Sequence, residues 1–264
     1  MKFKFTDYHV HTAKWSADIE DNGPNFEDYI KIAEKNEINV CFLEHYELYS
    51  IEKDKTNPFY NGNIDNYLEE LDEIKETYDF IYCGLEVEYY KDREIELLEF
   101  MDDYEKELDF IGGTIHEWIF GYPITSKKKL IKFLEKKRMK EIIDEYFETS
   151  EMMINSQIFK NICHIDTIFR YINENDIKPE EDCDISEKRV LELGRLCIKN
   201  NLCIEYNLSG KRFPIGRPFP SKAIIYQLLK EGGKFFVGSD SHSLDYFESQ
   251  IANVKGAYKY LNSI

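Results

Sequence analysis

Asp7-Tyr8-His9-Val10-His11-Thr12 closes an apolar-leaning run that starts at Phe3. In an extended strand alternate side chains share a face, so His9 and His11 are expected to point the same way. Two imidazoles side by side at a strand end can chelate one metal ion. Histidines two apart also occur by chance, so the pair acquires meaning from what the rest of the chain places beside it.

Working outward from this stretch, strand-like runs alternate with helix-like stretches to the end of the chain. Later runs are read at Asn39 to Leu43, Phe80 to Val87, Leu108 to Ile115, Ile162 to Ile165, Leu202 to Tyr206 and Lys234 to Val237. Between them, apolar residues recur at three- and four-residue spacings, as in Phe26, Tyr29, Ile30 and Ala33 or Ile64, Tyr67, Leu68 and Leu71, which predicts amphipathic helices. The Lys- and Glu-rich segment from Ser126 to Gln157 reads as two helices or one bent helix, Lys53 to Asn63 as a polar loop, and Pro220-Ser221 as a helix start. Strand–helix units without a composition break predict one parallel α/β domain over residues 1–264. No GxGxxG and no Walker motif supports a nucleotide-binding open sheet. In a closed barrel, by contrast, reactive groups come from the C-terminal ends of several strands.

The histidines meet that criterion. His9 and His11 end the first run, His45 follows the second, His116 the fourth and His242 the seventh, while His164 lies within the fifth. The third run ends in Gly84-Leu85-Glu86-Val87-Glu88, with carboxylates where the others place imidazoles. The seventh leads into Gly238-Ser239-Asp240-Ser241-His242, where Asp240 and His242 are expected to share a face as His9 and His11 do. A single histidine is more often a hydrogen-bonded structural residue than a ligand, and Glu86 and Glu88 are two of many acids. Chance does not explain why no histidine falls on a helix surface or in a linker. Imidazole and carboxylate donors without thiolate suit Zn, Mn or Fe(II), and their number suits two or three ions sharing a bridging carboxylate. Clustered divalent ions activate water and stabilise charge on a phosphoryl group, which predicts hydrolysis.

The composition sets limits. Asp and Glu number 51 against 34 Lys and Arg, a net charge of −17 over 264 residues, which works against phosphate-backbone binding and so against a nucleic-acid partner. No apolar run approaches the roughly 18 residues of a membrane span. The strand-like start leaves no room for a signal peptide, and a cytoplasmic location is expected. The six cysteines form no CxxC pair and read as reduced core thiols. Cys163, next to His164, would face the other way and is not counted as a ligand. The acidic helices read as solvated faces rather than as an interface between copies.

The His-x-His start, Phe42-Leu43-Glu44-His45, Gly84-Leu85-Glu86, the isolated strand-end histidines and Gly238-Ser239-Asp240-Ser241-His242 together resemble the polymerase and histidinol phosphatase (PHP) superfamily. Asp7-Tyr8-His9-Val10-His11-Thr12, His164-Ile165-Asp166 and Glu205-Tyr206-Asn207-Leu208-Ser209-Gly210 before Pro218-Phe219-Pro220-Ser221 resemble its monofunctional histidinol-phosphate phosphatases of histidine biosynthesis. The resemblance implies a distorted (β/α)7 TIM-like barrel with a trinuclear metal site. His9, His11, Glu86 and Asp240 would hold the first ion. Glu86 would bridge to a second, held also by His116 and His164, and Asp18, His45 and His242 would hold the third, with Asp21 the fallback for Asp18. The implied reaction is attack of a metal-activated water on a small phosphomonoester, L-histidinol phosphate, giving L-histidinol and phosphate. Glu86 belongs to the reacting centre, and Asp240 or His242 would protonate the leaving alkoxide. Arg170, Lys211, Arg212 and Arg217 are candidate phosphate clamps, with the bidentate geometry of arginine favouring Arg170 and Arg212. The competing expectations are a PHP phosphoesterase acting on nucleotides or another phosphomonoester, and a non-catalytic metal-binding module.

Overall fold

The computed structural model describes residues 2–20 and 22–264. Seven strands, β1 (Thr6–Val10), β2 (Asn39–Tyr46), β3 (Ile81–Glu88), β4 (Phe110–Thr114), β5 (Asn161–Ile162), β6 (Cys203–Asn207) and β7 (Lys234–Gly238), are hydrogen-bonded in chain order in one sheet. Among the described residues, the helices between and after them are α1 (Phe26–Lys35), α2 (Leu48–Lys53), α3 (Ile64–Thr77), α4 (Glu94–Tyr104), α5 (Lys127–Leu134), α6 (Met139–Ser156), α7 (Glu187–Lys199), α8 (Lys222–Lys230) and α9 (Leu244–Leu261). This is the distorted (β/α)7 TIM-like arrangement that the sequence predicts. The chain divides into two compact units, one formed by residues up to 87 with 99–112 and 236–263, the other by 88–98, 113–235 and 264.

In the first unit β1 pairs in parallel with β2, and β2 with β3 in an unbroken register from Val40↔Ile81 to Tyr46↔Val87. The other edge of β1 meets the segment after β7. Ser239 N donates to Asp7 Oδ1 (2.8 Å), Asp240 N to His9 O (2.8 Å) and His11 N to Ser241 O (2.9 Å). Tyr8 packs on Phe110 (4.8 Å between centroids) and Phe236 (6.0 Å), and the register of β1 against β2 shifts between Asp7 and Val10, so strand alternation is interrupted just where His9 begins the histidine pair. Behind the sheet, α1 begins with an Asn25/Asp28 capping box and lays Phe26 against Phe42. Burying Phe42 contributes about 2–3 kcal/mol. Gly84 has no alternative, because a Cβ there would lie 2.8 Å from both Cys41 Sγ and Phe110 O.

In the second unit β5 and β6 pair in parallel, and α7 packs on α8 where Gly194 lets Leu228 approach. Gly113 admits the Phe159 ring in the same way. On the surface Asp144 joins Lys140 on its own helix to Arg189 on α7. The Lys140 hydrogen bond, with Arg189 and against partial burial, holds the Asp144 carboxyl below its ordinary 3.8. A lowered native pKa stabilises above the unfolded value, and the contribution disappears as pH falls through the native one. Asp144→Asn is therefore expected to cost about 0.5–1 kcal/mol at neutral pH, and progressively less as pH is taken below the ordinary carboxylate range, measured as urea midpoints.

One expectation changes. The fifth run forms a strand of two residues, and His164 lies beyond it, because its N–H donates to the Glu205 carboxylate (2.8 Å) instead of to a strand carbonyl. Ahead of the polar loop, Leu48 and Ile51, buried and three residues apart, fold as the short α2.

Candidate metal centre

In the first unit the sheet brings together side chains from widely separated stretches. His9 projects from β1, His45 from β2 and Glu86 from β3. His11 stands one residue past β1, Asp18 lies in the following loop, and Asp240 and His242 follow β7. Glu86 Oε2 sits 3.2 Å from His9 Nε2, 3.1 Å from His45 Nε2 and 4.0 Å from His11 Nε2. Asp240 Oδ1 lies 3.7 Å from His11 Nε2 and 3.4 Å from His242 Nδ1. Asp18 reaches His242 Nε2 (3.1 Å) and His45 Nδ1 (3.9 Å). Asp21 lies outside the described residues.

The sharing of a face by Asp240 and His242 has a different origin from that of His9 and His11. Both lie past the end of β7, and Asp240 adopts φ +57°, a left-handed conformation that Asp tolerates better than most side chains. The turn, rather than strand alternation, aims the two together.

These groups fit a divalent cation. His11, His45 and His242 form one triad and His9, His11 and Asp240 another, with the donor atoms of each within 4.8 Å of one another. His11 Nε2 is buried and makes no hydrogen bond, a costly state that a bound cation relieves. Burial first, and then His242, His45 and His9 close by, hold the His11 imidazole well below its ordinary range. It is kept in the neutral, metal-binding form. Asp18, whose side chain is about half exposed, is pulled well below the usual carboxylate range: partial desolvation opposes ionisation, and His45 and His242 outweigh it. Nitrogen and carboxylate donors of this kind suit Zn, Mn or Fe(II).

A carboxylate the sequence reading left without a role supports this cluster. Glu44 is buried on β2 and accepts from Thr12 N (2.9 Å), Thr12 Oγ1 (2.7 Å) and Ser16 Oγ (2.6 Å). Its Oε2 is 3.7 Å from His11 Nδ1. Burial pushes its carboxyl up to about 7 against the pull of those hydrogen bonds. Glu44 thus ties the start of the Asp18 loop to the strand beside it. The available signal was an acid inside an apolar strand, next to a histidine.

The second unit holds its own pair. His116 Nε2 and His164 Nε2 stand 3.4 Å apart. Glu88 accepts from His116 N and Glu117 N, while Glu205 accepts from His164 N. The candidate clamps of this unit differ in their commitments. Arg217 Nη1 donates to buried Asp166 (2.7 Å) and its Nε lies 3.3 Å from Glu187, so carboxylates already neutralise it. Arg170 is buried, stacks over Phe213 (4.3 Å) and donates to Thr167 Oγ1 (2.9 Å) and Thr125 O. Lys211 and Arg212 are exposed on the short 3-10 helix after β6.

Fold and site together define a metal-binding domain of the (β/α)7 class. The PHP domain model matches residues 7–209, and the chain belongs to that family. Among solved structures, one from Listeria monocytogenes, provisionally assigned as the histidinol phosphatase HisK, superposes with a TM-score of 0.76 at 19% identity, covering 91% of this chain and 96% of its own. Histidinol phosphate phosphatase HisK from Lactococcus lactis subsp. lactis Il1403, in complex with zinc, L-histidinol and phosphate, superposes at 0.72 with 22% identity over 97% of this chain and 94% of its own. No curated protein sequence matches significantly. Among the described residues no helix is long and apolar enough to cross a membrane.

Proposed function

We propose that residues 1–264 act as one metal-dependent phosphomonoesterase domain that hydrolyses L-histidinol phosphate to L-histidinol and phosphate. The observation that carries this reading is the convergence of His9, His11, His45, Glu86, Asp240 and His242 in a chain of the PHP family. The similarity to the Lactococcus enzyme, crystallised with zinc, histidinol and phosphate, supports the substrate. Two or three divalent ions, Zn, Mn or Fe, would be held by these residues with Asp18, and by His116 and His164. The fit of the donors supports them. Bound there, such ions supply water activation and charge stabilisation at phosphorus.

The remaining tasks fall to side chains. Glu86 Oε2, flanked by His9 and His45, places negative charge where the ligands meet and keeps both rings in position. As the water oxygen bonds to phosphorus and the ester P–O bond breaks, the departing alkoxide needs a proton. The Asp240–His242 pair, 3.4 Å apart, is placed to hold it on Asp240 Oδ1 or His242 Nδ1. Arg170 offers a planar fork to phosphate oxygens, with Arg212 and Lys211 adding positive charge from the loop after β6. The net charge of −17 disfavours nucleic acid as a partner. As an enzyme of amino-acid biosynthesis the protein would work in the cytoplasm.

The test is a steady-state comparison of histidinol phosphate, nucleoside monophosphates and an aryl phosphate, with metal analysis of the same preparation. Histidinol phosphate is expected to lead in kcat/KM by at least about tenfold. Equal or faster nucleotide turnover would replace the substrate, and absence of all turnover in fully metal-loaded protein would replace the enzyme reading with a metal-binding module.

A further inference from the structure

Glu88 ends β3, two residues past Glu86, and is fully buried. Its Oε1 accepts from the backbone of His116 (2.7 Å) and of Glu117 (3.1 Å), fixing where the chain leaves β4. Its Oε2 lies 3.1 Å from Nδ1 of the His116 ring, a close approach rather than an aligned hydrogen bond. An ionised carboxylate this close to Nδ1 favours a hydrogen on that nitrogen over a lone pair. The other side of the ring is compatible with this. Nε2 lies 3.2 Å from Thr114 Oγ1, a hydroxyl able to donate to a bare ring nitrogen, and 3.4 Å from His164 Nε2. The loop that follows is anchored to the same place, because Glu117 accepts from Tyr90 OH (3.1 Å) and Gly121 N (2.9 Å). Backbone and ring of His116 are thus oriented by one side chain.

We propose that Glu88 is the positioning residue that fixes His116 as its Nδ1–H tautomer and so presents Nε2, beside His164 Nε2, to a divalent cation. A carboxylate behind a ligating imidazole raises its basicity and locks its rotation, and losing one typically weakens metal binding by about 10–100-fold. The inference rests on the reading of His116 as a metal ligand, and not on which ester is hydrolysed.

Glu88→Gln tests it, since the amide keeps size and shape but not the pattern of acceptors. With its oxygen held by the two backbone N–H groups, the amide nitrogen faces Nδ1 and donates to it, which drives the ring to the Nε2–H form. In metal-free protein, imidazole 15N NMR is expected to show His116 as Nδ1–H in the wild type and as Nε2–H in Glu88→Gln, with His242 unchanged as a control for folding. Zn2+ titrated against a chelating indicator is expected to bind the variant about 10–100-fold more weakly at this site. Glu88→Asp, which retains the carboxylate, is expected to keep the wild-type tautomer and recover part of the affinity. The proposal is overturned if Glu88→Gln retains the Nδ1–H tautomer or wild-type Zn2+ affinity, or if Glu88→Asp resembles Gln in both readouts. Wild-type protein that shows the tautomer and binds Zn2+ but leaves histidinol phosphate intact would sink the substrate assignment and leave this inference standing.

Discussion

Replacing His11 by Ala is expected to lower kcat/KM by at least about 10³-fold, because metal-ion catalysis supplies several kcal/mol of transition-state stabilisation at about 1.4 kcal/mol per decade. His11 belongs to both triads and is fully buried, so its loss removes a donor from each at once. Metal-free and metal-loaded stability should separate this effect from simple misfolding. In the wild type, metal at 100-fold above its Kd adds about 2.7 kcal/mol. That increment should shrink or vanish in His11→Ala, while the metal-free Tm moves less, since the imidazole removed has an Nε2 without a hydrogen bond and is costly to bury. Chelation of the wild type should reproduce the loss of activity, and restoring Zn, Mn or Fe(II) should reverse it. Retention of activity within tenfold in His11→Ala, with full metal content, would remove His11 from the site.

The second large effect is expected at Arg170. Arg170→Lys preserves charge but not the fork, and loss of a buried charge-assisted contact costs about 2 kcal/mol or more. The expected result is a fall in kcat/KM of roughly thirtyfold or more. Part of it should appear in KM, since ground-state phosphate carries the same oxygens. The stacking of Arg170 on Phe213 also changes, so the Tm of the variant must be measured beside the kinetics. Arg212→Lys, at an exposed position, should stay within about threefold of wild type. Arg217 is a different case. Its ion pairs with Asp166 and Glu187 would have to open before it could reach a phosphate. Unchanged kinetics in Arg170→Lys would assign the clamp to the loop after β6.

The sequence revealed the fold through regularities that are local. Period-two alternation placed His9 and His11 on one face, and the spacing of Phe26, Tyr29, Ile30 and Ala33 marked α1, where all four are buried. The strand-end position of the histidines carried the site for the same reason, because parallel strands deliver their C-terminal ends to one face. What eluded the reading depends on contacts between distant residues. The shortening of β5 needs Glu205 as the acceptor for His164 N, and the roles of Glu44 and Glu88 need to be seen beside Thr12, Ser16 and His116. Asp240 was grouped with His242 correctly, but through a left-handed turn that no periodicity announces. The commitment of Arg217 to two carboxylates, likewise, is invisible until α7 and the loop before α8 are folded.

The seam between β1 and the segment after β7 closes with the Ser239-to-Asp7 bond, across 232 residues of chain. His9 and His11 emerge from a ribosome well before Asp240 and His242, so a nascent chain holds half a centre while the residues between them are made. Contacts so far apart repay their loop-closure entropy late in folding. Neither triad of the first unit can be complete until the final strand docks. Cation capture at these triads thereby waits for the segment after β7, and chains that stop short of it cannot hold ions there.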